Sequence, residues 1–176
     1  MSYFLLSKLQ FVLLVGSLLC LALIIEFLRF RNPTFRKLFF RFVGRLLWKE
    51  EDKRLTGATA LLMGDLICAI FLSRPIVVAA MLFLALGDTF AYLVGHALGK
   101  IKVCEEKTLE GSLAFLVVGI VIVFLIPNFN PLIGIIGAVA GCAVELLPWD
   151  VDDNLSIPLI SGLVMQVSSV LLGKVI

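Results

Sequence analysis

The chain has 176 residues, of which 61% are hydrophobic, with a mean hydropathy of +1.10 and a formal net charge of +2. Soluble domains are roughly half apolar, so this excess excludes an ordinary soluble domain and implies a bilayer protein. No nucleic-acid partner is expected.

A transmembrane helix needs about 20 mostly apolar residues, and six spans are expected at 4–28, 56–72, 76–98, 112–126, 131–147 and 155–173. The fold class is therefore all-α: a polytopic membrane protein, forming one integral membrane catalytic domain over residues 1–176. The first span reads as a retained helix, because no small-residue cleavage site follows it. Some spans are short for a crossing, so tilt or local thinning is expected.

Between spans one and two lies "FRKLFFRFVGRLLW", Phe35 to Trp48. Lys37, Arg41 and Arg45 form one stripe, and Phe35, Phe39, Phe42, Val43 and Leu46 take the other side. That pattern predicts an amphipathic interfacial helix at about 34–48, with its basic stripe toward anionic headgroups. It reads either as a surface anchor or as a guide for lipid.

The breaks between spans have chemical reasons. "SRP" (Ser73 to Pro75) and "PNFNP" (Pro127 to Pro131) are turn chemistry, and "PWDVDDN" (Pro148 to Asn154) is polar and acidic. Cytoplasmic loops carry the excess of Lys and Arg. Arg29, Arg31, Arg36, Lys37, Arg41, Arg45, Lys49, Lys53 and Arg54 lie in 29–54, and Lys100, Lys102 and Lys107 follow span three. Only Lys8, Arg74 and Lys174 fall on the opposite side. Both termini are thus expected outside, with the loops 29–54, 99–111 and 148–154 on the cytoplasmic face. The membrane would be the plasma membrane if the source is prokaryotic.

The stretch "GDTFAYLVGHALGKIKVCEEKTLEG", Gly87 to Gly111, carries the chemistry. Asp88, Ala91, Gly95 and Gly99 stand at i, i+3, i+7 and i+11, on one stripe of a helix. A charge inside a membrane helix costs about 2.5–3.5 kcal/mol or more, so Asp88 should face a polar cavity, a partner or a metal. The small residues admit either a neighbouring helix, as a small-xxx-small packing motif, or a ligand. Lys107, Thr108, Glu110 and Gly111 suit phosphate oxygens through an ammonium and a hydroxyl beside glycine. At the next turn of the same sidedness, Asp150, Asp152, Asp153 and Asn154 offer hard oxygen ligands suited to Mg²⁺ or another divalent cation, whereas an isolated acidic loop would be only a solvated turn.

Three other acids fall within spans. Glu26 and Glu145 are near cytoplasmic ends, where snorkelling would satisfy them, while Asp65 is mid-span and would pair with a base or line the same cavity. His96, the only histidine, reads as a hydrogen-bonded helix residue. Cys20, Cys68, Cys104 and Cys142 form no C-x-x-C pair and read as small hydrophobes.

The pattern Asp88-x-x-Ala91-x-x-x-Gly95-x-x-x-Gly99, then seven residues, then Lys107-Thr108-x-Glu110-Gly111, resembles the CTP-binding signature of the CTP-dependent lipid kinases. That family includes dolichol kinase, phytol kinase and the CTP-using diacylglycerol kinase. "RLTGATALLMGD" (Arg54 to Asp65) and "DDNLSIPLISG" (Asp152 to Gly162) resemble it as well, so the likeness covers roughly residues 36–165. The resemblance implies transfer of the γ-phosphate of CTP to a membrane lipid alcohol, a diacylglycerol or a polyprenol-type alcohol. It implies a nucleotide site of Ala91, Gly95, Gly99, Lys100, Lys107, Thr108 and Gly111, catalytic Asp88, Lys107 and Glu110, and Mg²⁺ held by Asp88, Asp152, Asp153 and Asn154. The base would be Asp88 or Glu110. A cytidylyltransferase making a CDP-lipid would use the same nucleotide. A small anion transporter would use the same intramembrane acids, but it would place polar groups on both faces.

Overall fold

The computed structural model describes residues 7–44, 54–104, 107–148 and 151–173. Seven helices run through them: α1 (Lys8–Arg31), α2 (Pro33–Val43), α3 (Gly57–Phe71), α4 (Arg74–Leu98), α5 (Leu109–Leu125), α6 (Pro131–Leu146) and α7 (Asp153–Leu171). The six expected spans correspond to α1 and α3 to α7. By length and composition α1, α4 and α7 can cross a membrane, and α3, α5 and α6 are shorter apolar helices.

The chain begins and ends its helices where local chemistry supplies partners for backbone amides that lack an intrahelical carbonyl. Ser7 and Gln10 form a reciprocal capping box on α1. Asn32 accepts from the amides of Thr34 and Phe35, and Pro33 pre-sets the first turn of α2. In "PNFNP", Asn128 adopts a positive φ of 57° and Asn130 accepts from the amide of Leu132 to open α6. Thr108 and Asp152 cap α5 and α7 in the same way.

The amphipathic helix is described from Pro33 to Val43. The continuation expected to 48, with Arg45 and Leu46, lies outside the described residues, as do Lys49, Lys53, Asp150 and Lys174. Lys37 and Arg41 are exposed, Phe35, Phe39 and Val43 are half-buried, and Phe42 is 77% exposed.

The core is built jointly by helices α3 to α7, around Ile76, Phe83, Phe115, Ile133, Ile157 and Met165. Close approach there depends on missing side chains. A Cβ on Gly137 of α6 would stand 2.3 Å from Met165 Cγ of α7. By contrast, α1 buries little and packs on α3 at its inner face through Phe11 and Val15.

The ends of the bundle differ. At one end, Lys8 Nζ donates to the Ile70 carbonyl at 2.9 Å, and the Ser73 amide donates to Gln166 Oε1 at 3.0 Å. At the other end the acids gather. Glu26 and Arg29, 3% and 1% exposed, form an ion pair of 2.6 Å. Glu26 Oε1 also accepts from the Thr56 amide at 2.8 Å, and Arg29 donates to the Arg54 carbonyl. The Arg29 guanidinium sits 4.6 Å from the Phe30 ring centroid and 5.5 Å from that of Phe39, which ties α2 to α1. Snorkelling was the expectation for Glu26. It turns inward instead, because the amide at the start of α3 and Arg29 satisfy it there.

Candidate active site

Helix α4 is not uniform. Its turn from Phe83 to Asp88 is π-helical, an insertion frequent at functional sites. Beyond Asp88 the ordinary α-helix resumes, so the stripe of Asp88, Ala91, Gly95 and Gly99 keeps its expected spacing.

That stripe meets α5. A Cβ on Gly87 would stand 2.9 Å from the Phe115 ring, and one on Gly95 would stand 2.8 Å from Thr108 Oγ1. In return, a Cβ on Gly111 would stand 2.7 Å from the Ala91 carbonyl oxygen. Positions 87, 91 and 95 thus match 115, 111 and 108 down the helix pair. Of the two readings of the small residues, helix packing accounts for this face. Gly99 also meets Thr108, whose hydroxyl accepts from the Gly111 amide at 3.2 Å.

Between α4 and α5 the loop folds back on itself. The Val103 amide donates to the Lys107 carbonyl, the Leu109 amide donates to the Ile101 carbonyl, and Lys102 bridges Thr108 in antiparallel fashion. This turn sends the Lys107 side chain inward. Its Nζ lies 2.7 Å from Asp153 Oδ2 and 3.4 Å from Glu145 Oε1. Burial opposes the ammonium charge, but the hydrogen bond to Asp153 and the charges of Asp153, Glu145 and Asp88 outweigh it, so the Lys107 pKa is raised above the ordinary lysine value. Asp88 therefore belongs to the same electrostatic cluster.

Glu145 was expected to snorkel. It is 3% exposed and accepts from Ser112 Oγ at 2.6 Å while facing Lys107. A carboxylate in the last turn of a helix opposes the helix dipole, so its place in α6 depends on Ser112 and Lys107. Cys142, one turn earlier, donates through Sγ to the Ser112 carbonyl at 3.2 Å. Neither Ser112 nor Glu145 stood out in the sequence as a site residue. The one available signal was an acid three residues before "PWD".

Other expected site residues have partners of their own or face outward. Glu110 accepts from the Ile101 amide at 3.2 Å and so braces the loop. Lys100 is exposed, and His96 is exposed and stacked on Tyr92. Asp152 Oδ1 accepts from both the backbone and the side-chain nitrogen of Asn154, at 2.9 and 2.8 Å, so this pair caps α7. Among the described residues, no group of three or more His, Cys, Asp and Glu side chains forms a ready cage for a metal. The hard oxygens of Asp153, Glu145 and Asp88 nevertheless suit Mg²⁺, which usually takes one or two carboxylates and shares its remaining positions with water and substrate phosphates.

The cluster thus combines one ammonium, three carboxylates and the N-terminal ends of α5 and α7. Helix N-termini and lysine both favour phosphate oxygens. The carboxylates serve a cation or a proton.

Three curated relatives resemble this chain. The CTP-dependent diacylglycerol kinase 1 of Schizosaccharomyces pombe is 30% identical over 156 residues, covering 78% of this chain and 71% of that protein. Its namesake in Saccharomyces cerevisiae is 26% identical over 172 residues, covering 81% of this chain and 59% of that protein. That of Eremothecium gossypii is 26% identical over 173 residues, covering 82% of this chain and 54% of that protein. The chain thus spans little more than half the length of two of them. No protein-family model and no solved structure matches.

Proposed function

This chain belongs to the CTP-dependent lipid kinase family, and we propose that it is an integral membrane, multi-pass phosphotransferase that moves the γ-phosphate of CTP to a lipid alcohol. The observation that carries this reading is Lys107, held between Asp153 and Glu145 beside Asp88 at the N-terminal ends of α5 and α7. Diacylglycerol is the acceptor best supported, since all three relatives bear that name. A polyprenol-type alcohol is the second candidate. The excess of basic residues on this end of the bundle supports a cytoplasmic site, within a single catalytic domain.

In this reading Lys107 exchanges Asp153 for phosphate oxygens when CTP arrives. Thr108 and Gly111 shape the turn that places Lys107 rather than clasping the nucleotide themselves. Asp153 and Glu145 are the side chains that would hold a divalent cation, which, when bound, would neutralise charge building on the transferred phosphate. The lipid hydroxyl oxygen forms the new bond to the γ-phosphorus, the bond to the β–γ bridging oxygen breaks, and CDP leaves. The hydroxyl proton passes to a carboxylate. Asp88 is preferred over Glu110 for that role, because Glu110 is engaged with the Ile101 amide.

Purified protein in vesicles containing diacylglycerol is to be given CTP labelled at the α or the γ position. Label from the γ position in the lipid, with CDP released, is the expected result. Label from the α position in the lipid, with pyrophosphate released, would replace the kinase with a cytidylyltransferase. Labelled lipid in neither case, with anion uptake into the vesicles, would replace it with a transporter.

A further inference from the structure

Asp65 is a carboxylate that the phosphate-transfer cluster does not use. It is half-buried eight residues into α3, about 12 Å along the helix from Gly57. It has no hydrogen-bond or ion-pair partner among the described residues. An ionisable residue within a membrane helix is a functional candidate whose partner must be named.

Two observations point to the partner. First, a groove runs between α3 and α7, lined by Ile67, Cys68, Phe71, Leu72, Leu159 and Leu163. Asp65, Cys68 and Leu72 stand at i, i+3 and i+7, so the carboxylate heads a stripe that continues into this groove. The groove volume is about 60 Å³, room for a few methylene groups of a chain and far below what a nucleotide needs, and its lining is hydrocarbon and one thiol. Second, Gly64, next to Asp65, abuts the first turn of α7: a Cβ there would stand 3.1 Å from the Asn154 carbonyl oxygen. Asp153, which holds Lys107, is the adjoining residue. Asp65 thus adjoins the contact of α3 with the first turn of α7, and the apolar groove lies further along the same two helices.

We propose that Asp65 and the α3–α7 groove form a docking seat for a neutral lipid alcohol, the hydroxyl donating to the Asp65 carboxylate and one acyl chain lying along Ile67, Phe71, Leu159 and Leu163. This rests on the lipid kinase reading and adds the route of the acceptor: the lipid enters from the α3 side and crosses the first turn of α7 to reach Lys107. The seat selects a free hydroxyl, because a carboxylate only accepts. A phospholipid with its phosphate esterified to choline has no donor to offer.

The test is photolabelling of full-length protein in phosphatidylcholine nanodiscs, using a diacylglycerol with a diazirine in one acyl chain, followed by peptide mapping. Labelling is expected on 67–72 and 159–163. Unlabelled diacylglycerol should suppress it, whereas 3-O-acetyl diacylglycerol should not. Asp65→Leu, which removes a charge from the bilayer and should not hinder folding, should reduce the competitor-sensitive labelling about tenfold, the size of one charge-assisted hydrogen bond. Leu163→Trp should reduce it by filling the groove. Labelling spread along α1 and α5, equal suppression by the acetylated lipid, or full labelling of Asp65→Leu would each overturn the seat. Turnover of CTP is read on the same samples. Phosphorylated lipid without the mapped labelling removes the seat and leaves the kinase; mapped labelling without phosphorylated lipid does the reverse.

Discussion

Gly95 and Thr108 are held so closely that a methyl group on the glycine would stand 2.8 Å from the threonine hydroxyl, and that hydroxyl is already the N-cap of α5. Any side chain at 95 must therefore displace the cap. Gly95→Ala and Thr108→Ala should each destabilise the protein by about 1–2 kcal/mol. Because both act on one contact, the double variant should lose clearly less than the sum. Thermal unfolding in detergent, followed by circular dichroism, measures the cycle. Simple additivity would argue against packing as the role of the small-residue stripe.

Lys107 and Asp88 should separate in kinetics. Lys107→Ala should raise the KM for CTP about 10- to 100-fold, since one charge-assisted phosphate contact is lost. Asp88→Asn should leave the KM nearly unchanged and lower kcat about 100-fold or more, as expected for a proton acceptor. Both variants should insert and purify normally. Near-normal turnover in the two together would remove the proposed site.

The Lys107–Asp153 pair also predicts a pH dependence. The folded-state pKa of Lys107 is raised above its unfolded value. Its stabilising contribution is therefore fully present below the ordinary lysine range, near about 10.4, and is lost only as pH rises through the higher folded value. The difference in unfolding temperature between wild type and Lys107→Met should stay constant from about pH 7 to 9 and shrink only in stronger alkali. A difference that collapses within that neutral window would mean that Lys107 is not the charged partner.

Glu26 and Arg29 form a buried ion pair. Removing one partner of such a pair leaves a charge without compensation, so Arg29→Met should cost about 3–5 kcal/mol. Replacing both, as Glu26→Leu with Arg29→Leu, should recover much of that loss. Unfolding temperature reports the stability, and protease sensitivity near 33–43 reports whether α2 is released from Phe39's contact with Arg29. Equal stability of Arg29→Met and wild type would show that the pair contributes nothing.

The arrangement of the ends can be mapped by impermeant thiol labelling in a cysteine-free background. Lys102→Cys and Val151→Cys should label from the cytoplasmic side, and Arg74→Cys and Asn128→Cys from the other. Position 129 is a poor probe, because Phe129 is buried. Opposite labelling of 102 and 151 would contradict both the orientation and a shared site.

How much of this was legible beforehand follows from range. The apolar helices, the basic stripe of Lys37 and Arg41, and the caps at Asn32, Asn130 and Asp152 depend on hydropathy and on hydrogen bonds within a few residues, so the amino-acid order by itself determined them. The motif from Asp88 to Gly111 was likewise visible, because its spacing follows a single helix and the turn after it. Which surface each residue meets was decided only when helices distant in sequence were packed together. Lys107 and Asp153 are 46 residues apart, and Ser112 and Glu145 are 33 apart. The glycine stripe admitted either a ligand or a helix until Thr108 and Phe115 were placed against it. Glu26 and Glu145, near helix ends, looked able to reach water. They are buried because partners supplied by other segments, Thr56 for one and Ser112 and Lys107 for the other, satisfy the carboxylates inside the protein.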